Sequence, residues 1–177
     1  EANDLSFRLK HSDAKLIFVS KQQLRKVRNI IADLPEVKHV VVWGDVDGAL
    51  EGCELPLAQL EAQGEAYLKE HREEFLAIGQ SLKNDDIATI TYTSGTTADP
   101  KGVVLTHRNY TANVEQALSV VSIPPTWRTL IILPLDHCFA HVVGFYIMIA
   151  CGASVATTEV GRTPMETLKN IPINIKE

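Results

Sequence analysis

Cysteine is scarce in this sequence: Cys53, Cys138 and Cys151 form an odd set of three without CxxC spacing. That excludes a disulfide framework as the source of stability and fits a reducing compartment, so a cytoplasmic location is expected. Long hydrophobic runs are missing too. The longest, about Val142 to Ala150, falls far short of the roughly 20 residues that cross a bilayer. No basic-then-apolar segment opens the chain, so no transmembrane segment is expected and only peripheral contact with a membrane surface stays open. Positive charge is in deficit, with 17 Lys and Arg against 22 Asp and Glu and a net charge of −5. A broad nucleic-acid footprint needs the opposite balance, so no nucleic-acid partner is expected and any anionic ligand must be held locally. Repeats, low-complexity tracts and persistent charge runs are absent as well, which argues against extended disorder.

What is there is a globular composition, 45% hydrophobic and 22% charged over 177 residues, enough for one domain with its own core. Leu16-Ile17-Phe18-Val19 reads as a strand, and Leu24, Val27, Ile31 and Leu34 follow at helical spacing before Pro35. Val37 to Trp43 supplies another β-branched run closed by Gly44, Asp45, Asp47 and Gly48, so the opening third predicts a βαβ unit and a parallel sheet. From Leu57 the residues Leu60, Gly64, Tyr67, Leu68, Phe75 and Ile78 recur at three- and four-residue steps, which predicts a long amphipathic helix.

Strands are then expected over Ile87–Thr93 and Gly102–Leu105. Thr106 can cap a helix whose face is Tyr110, Val114, Ala117, Leu118 and Val121, with Pro124-Pro125 as its stop. Leu130–Leu133 and Ala153–Ala156 read as strands flanking Phe139 to Ala150, which is apolar nearly all round, as a buried crossover helix would be. The fold class expected is therefore α/β, a largely parallel sheet flanked by helices. The chain opens on Glu1 rather than Met and closes on Ile175-Lys176-Glu177, from which a single fragment of a longer protein, 1–177, is expected.

Between the strands that end at Thr93 and begin near Gly102, hydroxyls, glycines and one lysine are concentrated. Backbone N–H groups and hydroxyls of such a loop can surround phosphate oxygens while Lys101 supplies a point charge. Walker spacing is absent, because Lys101 precedes Gly102 and no hydroxyl follows the lysine. The loop is not that of a P-loop kinase or GTPase, and a plain polar hairpin stays open on spacing alone.

The stretch Ile90-Thr91-Tyr92-Thr93-Ser94-Gly95-Thr96-Thr97-Ala98-Asp99-Pro100-Lys101-Gly102-Val103 resembles the signature of the adenylate-forming (AMP-binding) superfamily, usually written YTSGTTGxPKGV. Leu133-Pro134-Leu135-Asp136-His137, with Gly144 beyond it, is similar to the LPLxH motif of acyl-CoA synthetases. Ala14-Lys15-Leu16-Ile17-Phe18-Val19, Gly152-Ala153-Ser154-Val155-Ala156 and Leu168-Lys169-Asn170-Ile171 look most like the long-chain fatty-acid-CoA ligase branch.

The resemblance implies part of a large α/β N-terminal domain, with the C-terminal domain absent from this chain. It implies that Thr93, Ser94, Gly95, Thr96, Thr97, Lys101 and Gly102 bind the ATP phosphates, that Lys101 and Thr96 act in catalysis, and that His137 borders the acyl and adenylate site. The implied reaction joins a fatty acid to ATP, with Mg2+ as cofactor, giving acyl-AMP and pyrophosphate, and then passes the acyl group to CoA. Ala98 stands where the family has Gly, so the loop is expected to differ locally if that position needs positive φ. No YGxTE-like motif, later Thr-Gly-Asp or adenylation lysine is present, so the fragment alone is expected to be inactive. The alternative is a non-catalytic adenine-nucleotide-binding or interaction domain.

Other residues carry less. His137 and His141 stand four apart without the Glu of an HExxH metal motif, which favours capping or partial burial over metal binding. Lys21, Arg25, Lys26 and Arg28 read as the solvated face of a helix. Arg108 and Asn109 read as an ordinary helix start, with an anion-facing role left open. A piece cut from a larger domain exposes faces its neighbours would cover, so self-association is expected.

Overall fold

The protein is described by a computed structural model over residues 2–45, 48–93, 100–133, 135, 137, 139–159, 161 and 163–174. Residues group into two compact units, Glu1–Lys83 with Tyr92–Val103, and Asn84–Thr91 with Val104–Glu177.

The first unit opens with helix α1 (Ala2–His11), followed by β1 (Leu16–Ser20), α2 (Lys21–Arg28), β2 (His39–Trp43), β3 (Glu54–Pro56) and α3 (Leu57–Ser81). β1 and β2 are parallel, in a register that sets Leu16 opposite His39 and Ser20 opposite Trp43, and α2 lies in the connection between them. This is the expected βαβ unit. β3 adds a third parallel strand on the far side of β2, so β2 is central and buried on both faces. Val40, Val41 and Val42 are each 1% exposed, as three consecutive β-branched residues must be in a parallel strand covered on both sides. Leu24 and Val27 of α2, one turn apart, join Ile17, Ile30, Leu34, Val40 and Val42 in a single core cluster.

The four basic residues of α2 do not all face solvent. Lys21, Arg25 and Lys26 are exposed, but Arg28 grips Glu54 with two N–H donors at 2.8 and 2.7 Å. It also pairs with Glu51 at 3.0 Å. The Glu54 carboxylate accepts a further bond from the Glu51 backbone N–H at 2.9 Å. This bidentate clasp ties the end of α2 to the start of β3, and Arg28's hydrogen bonds hold the Glu54 carboxyl below the usual glutamate range.

α3 is the long helix expected from the three- and four-residue spacing, but it breaks from helical geometry at His71 (φ −124°, ψ 26°) and none of its residues is buried. Tyr67, Phe75, Leu76 and Ile78 lie in solvent. The periodicity is real; the covering it implies is not supplied by the described residues.

β4 (Ile87–Thr93) and β5 (Lys101–Thr106) form a separate two-stranded sheet. In the second unit α4 (His107–Leu118) follows, then β6 (Arg128–Ile131), a π-helix (Ala140–Tyr146), α5 (Ile147–Ala150), β7 (Ser154–Thr157) and α6 (Pro164–Asn174). β6 and β7 are parallel, Arg128 opposite Ser154 and Ile131 opposite Thr157, so the segment between them is a crossover as expected. Parallel pairing thus holds in two sheets, though the described strands form three separate sheets rather than one.

α4 stops at Leu118, short of Pro124: Ser119 caps it and its hydroxyl turns back to the Gln116 carbonyl at 2.7 Å. Val120 and Val121 beyond it are exposed, with no core to reward another turn.

The crossover differs in kind from the α-helix expected over Phe139 to Ala150. Its first part has i→i+5 hydrogen bonding, and in that register His141 stacks on Tyr146, five residues on, at 4.7 Å between ring centroids. Tyr110 of α4 meets both rings edge-on at 5.4 and 5.2 Å, and its hydroxyl bonds the Thr89 hydroxyl at 2.8 Å. Tyr110, Val142 and Ile147 are the buried centre of this unit. The crossover ends in a turn at Gly152 (φ +66°), where Gly152 N–H donates to Ile149 and Ala153 N–H to Met148. Glycine avoids the cost of the left-handed backbone there. Among the described residues no helix is long and apolar enough to cross a membrane.

Candidate functional site

β4 and β5 bring together the two ends of the hydroxyl- and glycine-rich loop. β4 is built mostly from β-branched residues, Ile87, Thr89, Ile90, Thr91 and Thr93, and ends on the exposed Thr93; β5 starts on the exposed Lys101 and continues through half-buried Gly102. Thr93, Lys101 and Gly102 therefore stand at adjacent strand ends of the first unit. Ser94, Gly95, Thr96 and Thr97, with Ala98 and Asp99, lie outside the described residues. An exposed ammonium on a strand end is a point charge able to meet a phosphate oxygen without first breaking a buried ion pair.

The residue before Thr93 is fastened. Tyr92 O–H lies 3.3 Å from the Arg8 carbonyl and 2.8 Å from His11 Nδ1, and the Arg8 guanidinium carbon stands 5.6 Å from the Tyr92 ring centroid. Sequence reasoning missed this contact entirely. Its one visible signal was an aromatic ring in a strand otherwise made of Ile, Ala and Thr.

His137 belongs to the second unit. It is exposed, and its Nδ1 accepts from the Phe139 N–H at 3.3 Å. In a neutral imidazole this leaves the proton on Nε2, which is then a donor. The His141 backbone N–H donates to the His137 carbonyl at 3.1 Å, while its ring packs among Tyr110, Phe145 and Tyr146. Among the described residues no group of three His, Cys, Asp or Glu could hold a metal ion. Cys53 and Cys151 are half-buried free thiols, and Cys138 lies outside the described residues.

The start of α4 is fully used by the protein itself. Thr106 and Asn109 form a capping box, with Asn109 N–H donating to the Thr106 hydroxyl and Thr106 N–H to the Asn109 side chain. His107 N–H donates to the Asp86 carbonyl and Arg108 N–H to the Asn84 carbonyl, while the Arg108 guanidinium pairs with Asp85 at 3.0 Å. The amides that could face an anion are spoken for, so Arg108 and Asn109 are a helix start. Beside α4, His107, Tyr110, Val114, Tyr146 and Ile149 line a cavity of about 530 Å³, able to bury an apolar group.

Comparison with known proteins identifies the family and the fold. Residues 1–175 match the family model described as AMP-binding enzyme. The peroxisomal long chain acyl-CoA synthetase 7 of Arabidopsis thaliana is 32% identical over 84% of this chain and 21% of its own length. The oxalate–CoA ligase of the same plant is 29% identical over 91% of this chain and 29% of its own. In fold, the crystal structure of the anthranilate CoA ligase AuaEII in complex with anthranoyl-AMP superposes with a TM-score of 0.69 at 22% identity, covering 97% of this chain and 31% of that one. The chain spans about a fifth of the length of the long-chain relative it matches. Its mixed helices and parallel strands are those of the N-terminal domain of adenylate-forming enzymes, and the chain belongs to the AMP-binding enzyme family.

Proposed function

We propose that residues 1–177 are one piece of the N-terminal domain of an AMP-forming long-chain fatty-acid-CoA ligase, and that this piece carries its ATP phosphate-binding loop. The family match across 1–175 carries the reading, and the resemblance to a long chain acyl-CoA synthetase supports the branch. In the parent enzyme a fatty carboxylate oxygen attacks the α-phosphorus of ATP, the bond to the β-phosphate breaks, and pyrophosphate leaves. The CoA sulfur then attacks the acyl carbonyl and AMP departs.

Thr93, Ser94, Gly95, Thr96, Thr97, Lys101 and Gly102 hold the phosphates in this scheme, Lys101 and Thr96 next to the reacting phosphorus, and His137 offers a donor toward the acyl-adenylate. Such a step is carried by positioning and charge neutralisation. Mg2+ enters this scheme with ATP. The cysteine pattern supports a cytoplasmic setting, and the exposed stripe of α3 supports self-association of the isolated chain.

The test is calorimetric titration of the chain with Mg-ATP and with a non-hydrolysable acyl-AMP analogue, beside Lys101→Ala. Loss of one charged phosphate contact is expected to weaken Mg-ATP binding about tenfold or more. Equal binding by Lys101→Ala would sink the assignment of Lys101. Nucleotide binding without acyl-AMP formation by the full-length protein would leave the binding-only reading.

A further inference from the structure

One turn of α1 is aimed at Tyr92. Phe7, Arg8 and His11 fall on that turn, one and four residues apart, and each takes part. The His11 ring stacks on Phe7 (5.4 Å between centroids, 19°) and stands edge-on to Tyr92 (5.8 Å, 76°). Arg8 lies over the Tyr92 ring and offers its carbonyl to the hydroxyl. A phenol has one proton. If it goes to the Arg8 carbonyl, the contact with His11 must run the other way, with Nδ1–H donating to the Tyr92 oxygen. Tyr92 is then both donor and acceptor, and its ring is boxed by a cation and an imidazole.

None of these groups belongs to the unit's buried core, which is Ile17, Leu24, Val27, Ile30, Leu34, Val40 and Val42. His11 is exposed and Tyr92 half-buried. A contact of this kind adds little to the core, but it sits one residue before Thr93, the last residue of β4.

We propose that His11 and Arg8 are positioning residues for the phosphate loop, acting through Tyr92 to hold the end of β4 at Thr93. The proposal rests on the reading of that loop as an ATP site. Neither residue touches the nucleotide; both act through the tyrosine.

The test uses the full chain with His11→Leu, Tyr92→Phe, the double variant, and His11→Asn. Asparagine places an amide N–H close to where Nδ1 stands, whereas leucine keeps bulk without a donor. Three quantities are read: Mg-ATP affinity, amide hydrogen exchange at Tyr92 and Thr93, and the melting temperature. His11→Leu is expected to weaken Mg-ATP binding about three- to tenfold, the range of one hydrogen bond. Exchange at Thr93 should quicken, and the melting temperature should scarcely move. His11→Asn should restore most of the affinity, and the double variant should be no worse than Tyr92→Phe alone, because the two share one bond. Unchanged exchange at Tyr92 and Thr93 in His11→Leu overturns the proposal. So does a fall in melting temperature that His11→Asn shares in full while affinity holds. If the wild-type chain binds no Mg-ATP, the loop needs the rest of the parent enzyme to hold nucleotide, and exchange alone decides whether α1 positions this strand end.

Discussion

Strand β2 and helix α3 lie in the same unit and both are rich in apolar side chains, yet they end in opposite environments. Three consecutive valines of β2 are sealed, while in α3 Phe75 is 56% exposed and no residue is buried. The difference lies in what surrounds each. β2 has a strand on either side and α2 across it, all within one stretch of chain. The stripe of α3 has no such partner among the described residues. Periodicity reports which face of an element is apolar; whether anything covers that face is a property of the rest of the molecule.

That contrast can be broken by substitution. Val41→Ala should cost about 2 kcal/mol, because it removes two buried methyl groups and leaves a cavity; urea unfolding measures it, and a cost near zero would mean that β2 is not the centre of the unit. Glu54→Gln, at the edge of the same sheet, should cost about 1 kcal/mol at neutral pH by weakening the Arg28 clasp. Its effect depends on pH with a definite sign. Folding lowers the Glu54 pKa, so the unfolded chain takes up the proton first. The stabilisation is complete above the unfolded value and disappears as pH falls through the folded one. Below that range wild type and Glu54→Gln should converge, which denaturation at a series of pH values checks. Phe75→Ser in α3 should shift stability by no more than about 0.5 kcal/mol, while moving gel-filtration elution toward the monomer. A large loss of stability would show that the α3 stripe is covered after all.

Much of the fold was legible because local patterns and tertiary demands agree. The valine run, the helical spacing of Leu24 and Val27, and the Thr106 cap each specify an element from neighbouring residues alone. What escaped has physical causes. β3 is the three residues Glu54–Pro56, too short to show alternation, and it exists because β2 offers an edge. The helices α1 and α6 went unread, the latter with Pro172 inside it. In a run as uniformly apolar as Val142 to Ala150, i→i+4 and i→i+5 bonding leave the same hydrophobic pattern; only the five-residue spacing of His141 and Tyr146 hinted at the wider turn. At the site, residue type pointed to Thr93, Lys101 and Gly102 as loop ends, and the strands place them so. The fastening of Tyr92 could not be read, because nothing near it in sequence announces a partner.

His11 and Tyr92 are 81 residues apart. In polymer terms, closing a loop of that length costs more entropy than any step within the opening βαβ unit, so the contact is favoured only after the local ones have formed. The end of β4 at Thr93 is thus expected to be among the last features of its unit to be set, and among the first to be released when that unit begins to open.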